Sequence, residues 1–222
     1  PWGIDQLPDG SFLVTERPGR LRHVTADGTV HDPIEGVPEV YNAAPETGWA
    51  AQAGLLDVKA GPDFATDRMV YLTYSKPMGD GMSVTAAARG VLSEDMTQLT
   101  EVEDIWVQSP PSDAAMHYGS RLVFPGDGTV FITTGEHFTE QYRDYGKVIR
   151  VNLDGSIPDD NPFVGREGDD AIWSLGHRNI QGADLAPDGS LFVVEHGPAG
   201  GDEINKPAPG LNYGWPLVSY GE

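Results

Sequence analysis

The sequence predicts an all-β fold, a β-propeller of four-stranded antiparallel blades. Three observations predict it. A unit recurs along the chain, each copy carries the same turn chemistry, and no sustained helical periodicity is present. The marker prolines Pro8, Pro62, Pro125 and Pro187 are spaced by 54, 63 and 62 residues, a period that suits a blade.

The units justify themselves in order. In the first, Leu7-Pro8-Asp9-Gly10-Ser11-Phe12-Leu13-Val14 reads as a strand end, an Asp-Gly turn and a second apolar strand. Gly19-Arg20-Leu21-Arg22-His23-Val24 then returns as a third. The second unit is the weakest copy, Gly61-Pro62-Asp63-Phe64 leading to Met69-Val70-Tyr71-Leu72-Thr73. The best helix candidate of the chain, Ser93 to Leu99, follows it and reads equally well as a turn. The third unit has Phe124-Pro125-Gly126-Asp127-Gly128-Thr129 and the strand Lys147-Val148-Ile149-Arg150-Val151, which runs to the turn Asp154-Gly155. The fourth repeats the first closely, as Ala186-Pro187-Asp188-Gly189-Ser190-Leu191-Phe192-Val193. Residues 1–222 are therefore expected to form one propeller domain, incomplete at about four blades.

Composition narrows the function. Lys plus Arg is 14 against 34 Asp plus Glu, a net charge of −20. That excess excludes a nucleic-acid partner, which needs clustered cations to displace counterions from phosphate. It equally opposes an anionic membrane surface. No apolar run approaches the roughly 18 residues of a membrane helix. With no cysteine there is no thiolate metal site and no thiol nucleophile. The opening Pro1-Trp2 lacks Met and a basic region, and is read as a mature or trimmed start.

The polar residues fall at repeated places. Just before the strand that ends at each marker proline stand Trp2, Gln52, His117 and Arg178-Asn179. Those strand starts are expected to ring one mouth of the channel. The loops after the following strands carry Glu16, Glu136-His137 and Glu195-His196. Such convergence is what a small-molecule site requires. His23 and His31 lie away from this rim. The bland reading of Glu16, Glu136 and Glu195 is a carboxylate that caps loop amides. Asp154-Gly155 with Asp159-Asp160-Asn161 lacks the spacing of a calcium loop and reads as a solvated turn. Carbonyl oxygens of the loop from Gly197 to Gly201, beside Asp202 and Glu203, make a hard-cation site there more plausible.

These motifs together carry a family resemblance. Thr15-Glu16-Arg17-Pro18-Gly19-Arg20-Leu21, Gln52-Ala53-Gly54-Leu55, His117-Tyr118-Gly119-Ser120-Arg121-Leu122 and Gly176-His177-Arg178-Asn179 stand in the same order as in the glucose/sorbosone dehydrogenases. Glu195-His196-Gly197-Pro198 and Asn212-Tyr213-Gly214-Trp215-Pro216 continue the match to the end of the chain. The sequence resembles the soluble aldose sugar dehydrogenase branch of that family. The resemblance implies a six-bladed propeller, pyrroloquinoline quinone (PQQ), calcium, and periplasmic or secreted oxidation of an aldose to the lactone, with a soluble electron acceptor. It implies that His117 is the general base, with Arg178 catalytic beside it. It implies that Gln52, His117, Arg178 and Asn179 contact PQQ. The carbonyls of Gly197 and Pro198 would hold the calcium that touches the quinone, and Glu203 and Tyr213 match a further calcium site.

The sequence departs from the pattern at Met116, where glucose dehydrogenases have an Asp, so the group that orients His117 stays open. Between Tyr142-Arg143-Asp144 and Tyr145-Gly146 the chain is shorter than the family pattern. Two other functions fit the same architecture, a metal-dependent lactonase and a non-catalytic binding propeller.

Overall fold

The computed structural model describes residues 1–42, 52–138 and 144–221. Its strands assemble into four antiparallel sheets, and the fold is all-β with each sheet a propeller blade. The shortened segment around Tyr142-Arg143 lies outside the described residues.

Chain packing separates two units, residues 1–107 and 108–222. The first unit holds two sheets. One is β1 (Ile4–Gln6), β2 (Phe12–Glu16), β3 (Arg20–Val24) and β4 (Val30–Ile34), in that order across the sheet. The other is β5 (Leu55–Ala60), β6 (Met69–Gly79), β7 (Met82–Leu92) and β8 (Leu99–Val107). The second unit holds β9 (Gly119–Val123), β10 (Thr129–Thr134), β11 (Lys147–Asn152) and β12 (Ile172–Leu175), again in order. Its other sheet has three strands among the described residues rather than the expected four: β13 (Ile180–Leu185), β14 (Leu191–Glu195) and β15 (Glu203–Asn205).

The turns follow from their residues. At the marker turns, Asp9 and Asp188 accept hydrogen bonds from the amides of Ser11 and Ser190, at 2.9 and 3.0 Å. Asp127 does the same for Thr129 at 3.0 Å. The serine bonds hold the carboxyls of Asp9 and Asp188 below the usual range. Gly10, at φ 86°, supplies the left-handed step that reverses the chain. Asp154 makes the same turn through Ser156 and is a turn rather than an ion loop, as its spacing suggested.

Ser93 to Gln98 is a turn, not a helix: Asp95 and the Ser93 hydroxyl take the amides of Thr97 and Gln98. Such side-chain bonds compete with helical ones. The helical turn among the described residues is instead α1 (Phe64–Asp67), closed by Arg68 in the left-handed conformation. The weak second repeat hid it, because Phe64 is an anchor buried in the core.

Each unit fills the space between its two sheets with aliphatic side chains. Leu13, Leu21, Leu55 and Leu72 are fully buried in the first. Val148, Ile180 and Val193 are fully buried in the second. Each contributes about 1.5–3 kcal/mol through removal from water. In each unit the first strands of the two sheets are neighbours, β1 with β5 and β9 with β13. The loops that lead into β9 and β13 therefore meet.

Candidate active site

Register sets the first contact. β9 pairs antiparallel with β10, with Gly119 opposite Thr134. Continuing two residues outward on each strand sets His117 against Glu136. The two backbones approach so closely that a Cβ at Gly135 would overlap the carbonyl oxygen of His117. The backbone is strained here. His117, Ser120, His137 and Phe138 all take positive φ, at 56°, 87°, 55° and 54°. Side-chain-bearing residues avoid this region unless their surroundings impose it, and such strain concentrates at functional sites.

The third loop is tied to the same place. Gly135 bridges Asn179, the Glu136 amide donates to the Arg178 carbonyl at 2.9 Å, and the His196 amide donates to the Asn179 carbonyl at 3.2 Å. His117, Glu136, Arg178, Asn179 and the start of the 196–203 loop thus belong to one backbone network.

The side chains use it. His117 Nδ1 lies 2.6 Å from Glu136 Oε1, and both residues are buried. A carboxylate can only accept, so Nδ1 carries the proton and Nε2 keeps its lone pair. The ring of Phe138 lies 4.1 Å from the His117 ring. The same ring meets the Arg178 guanidinium at 5.5 Å, and Trp215 meets that guanidinium at 5.2 Å. Arg178 Nη1 donates to the carbonyls of His196 and Gly197, both at 3.0 Å. Its Nε is buried with no hydrogen-bond partner among the described residues. Burial lowers the Arg178 pKa, against the pull of Glu136, Asp202 and Glu195.

A second histidine–carboxylate pair lies behind. His177 Nδ1 bonds Glu195 Oε1 at 2.8 Å and its Nε2 meets the Ser174 hydroxyl at 2.9 Å. Its ring stacks on Tyr213 at 4.7 Å. Glu195 Oε2 accepts the Arg178 amide at 2.6 Å, which is the loop-capping role its repeat position suggested. Burial raises the Glu195 pKa, but the His177 bond and charge, with the Arg178 and Asn205 bonds, hold it below the usual range. Glu136 meets His117 in the way Glu195 meets His177, and Glu16 pairs with Arg20 and Arg22. Of the expected rim histidines, His137 and His177 are sealed inside. His137 sits between Tyr118 and Tyr145, and burial with the nearby His117 pushes its pKa down to about 3. His196 is exposed and faces Asp202 at 3.4 Å.

The sequence-named site residues divide as follows. Arg178, Gly197, Glu203 and Tyr213 line one small cavity of the second unit. Pro198 continues the same loop. Glu203 bonds Asn205 at 2.9 Å, and the Tyr213 hydroxyl donates to the Lys206 carbonyl at 2.5 Å. Gln52 stands before β5 in the first unit, half-buried. Sequence reasoning missed Phe138, quoted Trp215 only within its motif and without a role, and did not assign Glu136 to His117. The signal for Glu136 was present in the antiparallel register; the aromatic faces left none.

The residues present fit the implied groups. An unsatisfied guanidinium N–H flanked by two aromatic rings suits a planar, carboxylate-bearing quinone. The 196–203 loop offers carbonyl and carboxylate oxygen, the donors a hard cation takes, and the Gly197 carbonyl keeps a second lone pair beyond its Arg178 bond.

The comparisons decide the family. The glucose/sorbosone dehydrogenase profile matches residues 1–222. The chain belongs to the glucose/sorbosone dehydrogenase family. Within the family it is 44% identical over 230 residues to the aldose sugar dehydrogenase YliI of Escherichia coli, covering 100% of this chain and 60% of that protein. It is 32% identical over 249 residues to quinoprotein glucose dehydrogenase B of Acinetobacter calcoaceticus, covering 98% of this chain and 49% of that one. Among solved structures, the apo soluble aldose sugar dehydrogenase of Escherichia coli superposes with a TM-score of 0.91 at 42% identity, over 99% of this chain and 63% of that one. The PQQ-bound aldose sugar dehydrogenase of Streptomyces coelicolor gives 0.84 at 31% identity, over 99% and 63%. The chain thus spans roughly half to two-thirds of the length of these family members.

Proposed function

We propose that this chain is the His117-bearing part of a PQQ- and calcium-dependent aldose sugar dehydrogenase, which oxidises the anomeric carbon of an aldose to the lactone. The observation that carries the reading is the buried His117–Glu136 pair, whose neighbour Phe138 also contacts an arginine with no partner for its Nε among the described residues. When bound, PQQ supplies a two-electron acceptor for the substrate hydride, and calcium supplies a Lewis acid beside it.

The protein's own groups do the rest. Nε2 of His117 takes the proton of the anomeric hydroxyl as C1 loses its hydride. Glu136 holds the ring by Nδ1 and stabilises the imidazolium that forms, as a buried carboxylate does for a catalytic histidine. Arg178 and Asn179 would hold the quinone, and Arg178 would offer positive charge where negative charge develops. The carbonyls of Gly197 and Pro198 would hold the calcium beside the quinone, with Glu203 and Tyr213 serving a second ion. Gln52 keeps its assignment as a quinone contact from the resemblance. The same reading puts the enzyme in the periplasm or outside the cell, with a soluble acceptor receiving the electrons.

The lactonase alternative predicts hydrolysis of lactones with neither quinone nor electron acceptor present. Titration of the full-length apo protein with PQQ and calcium, followed by an aldose, tests the proposal. Spectral reduction of the bound quinone on adding sugar is expected. A fully loaded protein that no aldose reduces, yet that hydrolyses lactones, overturns it.

A further inference from the structure

Two imidazoles outside the candidate active site meet in the first unit. In the β3–β4 pair, Arg22 stands opposite Pro33 and Val24 opposite Val30, with a slip between. One residue of β3, His23, therefore faces two of β4, His31 and Asp32. A bulge of this kind re-aims side chains. Here it stacks the His23 and His31 rings with centroids 5.2 Å apart and planes 13° apart. Arg22 Nη1 spans the bulge by donating to the His31 carbonyl at 3.0 Å.

Both rings line a cleft of about 560 Å³ with Asp32, Glu35, Asp95 and Thr97. Its opposite wall is the Ser93–Gln98 turn, held in place because the Glu35 amide donates to the Thr97 carbonyl at 2.9 Å and Glu35 accepts from Leu99 at 2.8 Å. The Nε2 atom of His23 is buried and makes no hydrogen bond among the described residues. Burial and the neighbouring His31 lower the His23 pKa, with Asp9 opposing, so the ring is a neutral donor at neutral pH.

We propose that His23 and His31 bind a borderline divalent cation of the zinc, nickel or copper class in this cleft. Imidazole nitrogen favours these ions over calcium. Two imidazoles on one tetrahedral ion, at metal–nitrogen distances of about 2.0–2.1 Å, hold their ring centroids about 5 Å apart. The observed separation already matches. The near-parallel rings must leave their stack to aim at one point, and His31 is exposed on its strand. No three His, Asp or Glu side chains converge beforehand among the described residues, so the imidazoles anchor the ion and Asp32, Glu35 or water completes its shell. The bound ion clips β4 to β3 at the edge of the sheet.

The test is calorimetric titration of chelator-stripped full-length protein with zinc chloride in calcium-containing buffer. One saturable zinc site, unaffected by calcium, is expected. His23→Gln and His31→Gln each weaken it at least tenfold, and the double variant loses it. Zinc raises the thermal midpoint of the parent protein and not of the double variant. Undiminished zinc binding by the double variant, or no saturable binding by the parent, overturns the proposal. Should a variant fail to fold, imidazole NMR of the parent decides. Zinc-induced shifts at His23 and His31 support the site, and shifts confined to other histidines overturn it.

Discussion

Glu136 holds His117 through a 2.6 Å contact to Nδ1 although 19 residues separate them in sequence. The contact fixes both the ring's orientation and the nitrogen that is left to act. His117→Ala or His117→Asn is expected to abolish dye-linked sugar oxidation while PQQ still binds. Glu136→Gln keeps the shape but removes the charge, and should cost about 10²- to 10⁴-fold in kcat with quinone affinity little changed. Steady-state kinetics beside a PQQ titration read both. Wild-type turnover in either variant rejects the dyad.

Arg178 is held as a planar fork. It donates to two carbonyls and lies against Phe138 and Trp215. A lysine reproduces the charge but neither the fork nor the flat face. Arg178→Lys should weaken PQQ binding by at least tenfold, about 1.4 kcal/mol. Fluorescence titration of the apo protein measures it, and an unchanged Kd removes Arg178 from the quinone site.

Gly135 lacks a side chain because the His117 carbonyl occupies that space. Gly135→Ala must push backbone against backbone. Overpacking of this type costs about 1–3 kcal/mol, and it should lower both the thermal midpoint and kcat. A variant as stable and as active as the parent would show that the two loops part readily.

Acid should destabilise the second unit through His137. Its folded pKa lies at about 3, below the unfolded value of 6.5, because burial disfavours the charged ring. The unfolded chain therefore binds more protons as pH falls, and stability present above pH 6.5 is withdrawn progressively toward pH 3. Glu195, held below its usual range, acts in the same direction at the acid end. Denaturant midpoints from pH 7 to pH 4 should fall, and His137→Gln should flatten the upper part of that slope. Parallel curves for the two proteins would contradict the assignment.

Much of this was legible in the residues because the physics is local. Asp9-Gly10-Ser11 makes its turn from its own side chain and its own glycine, so the blade repeat could be read before any contact was known. The ordered motifs likewise gave the family, and the roles proposed for His117, Arg178 and Asn179 come from that resemblance. The weak second repeat concealed α1, and Ser93 to Leu99 read equally as a short helix or a turn until the serine and aspartate bonds to backbone amides decided for the turn.

The sequence by itself determined the blade pattern, the absence of thiol chemistry and the residue types of the site. Only the tertiary structure decided their partners. Glu16, Glu136 and Glu195 share a repeat position, yet one pairs with arginines, one with His117, and one with His177 and the Arg178 amide. His137 and His177 look as available as His117 in the sequence, and both are sealed. The reason is that turns are fixed by neighbours in the chain, whereas a side chain's partner and its access to water are fixed by strand register and by whatever packs across the sheet.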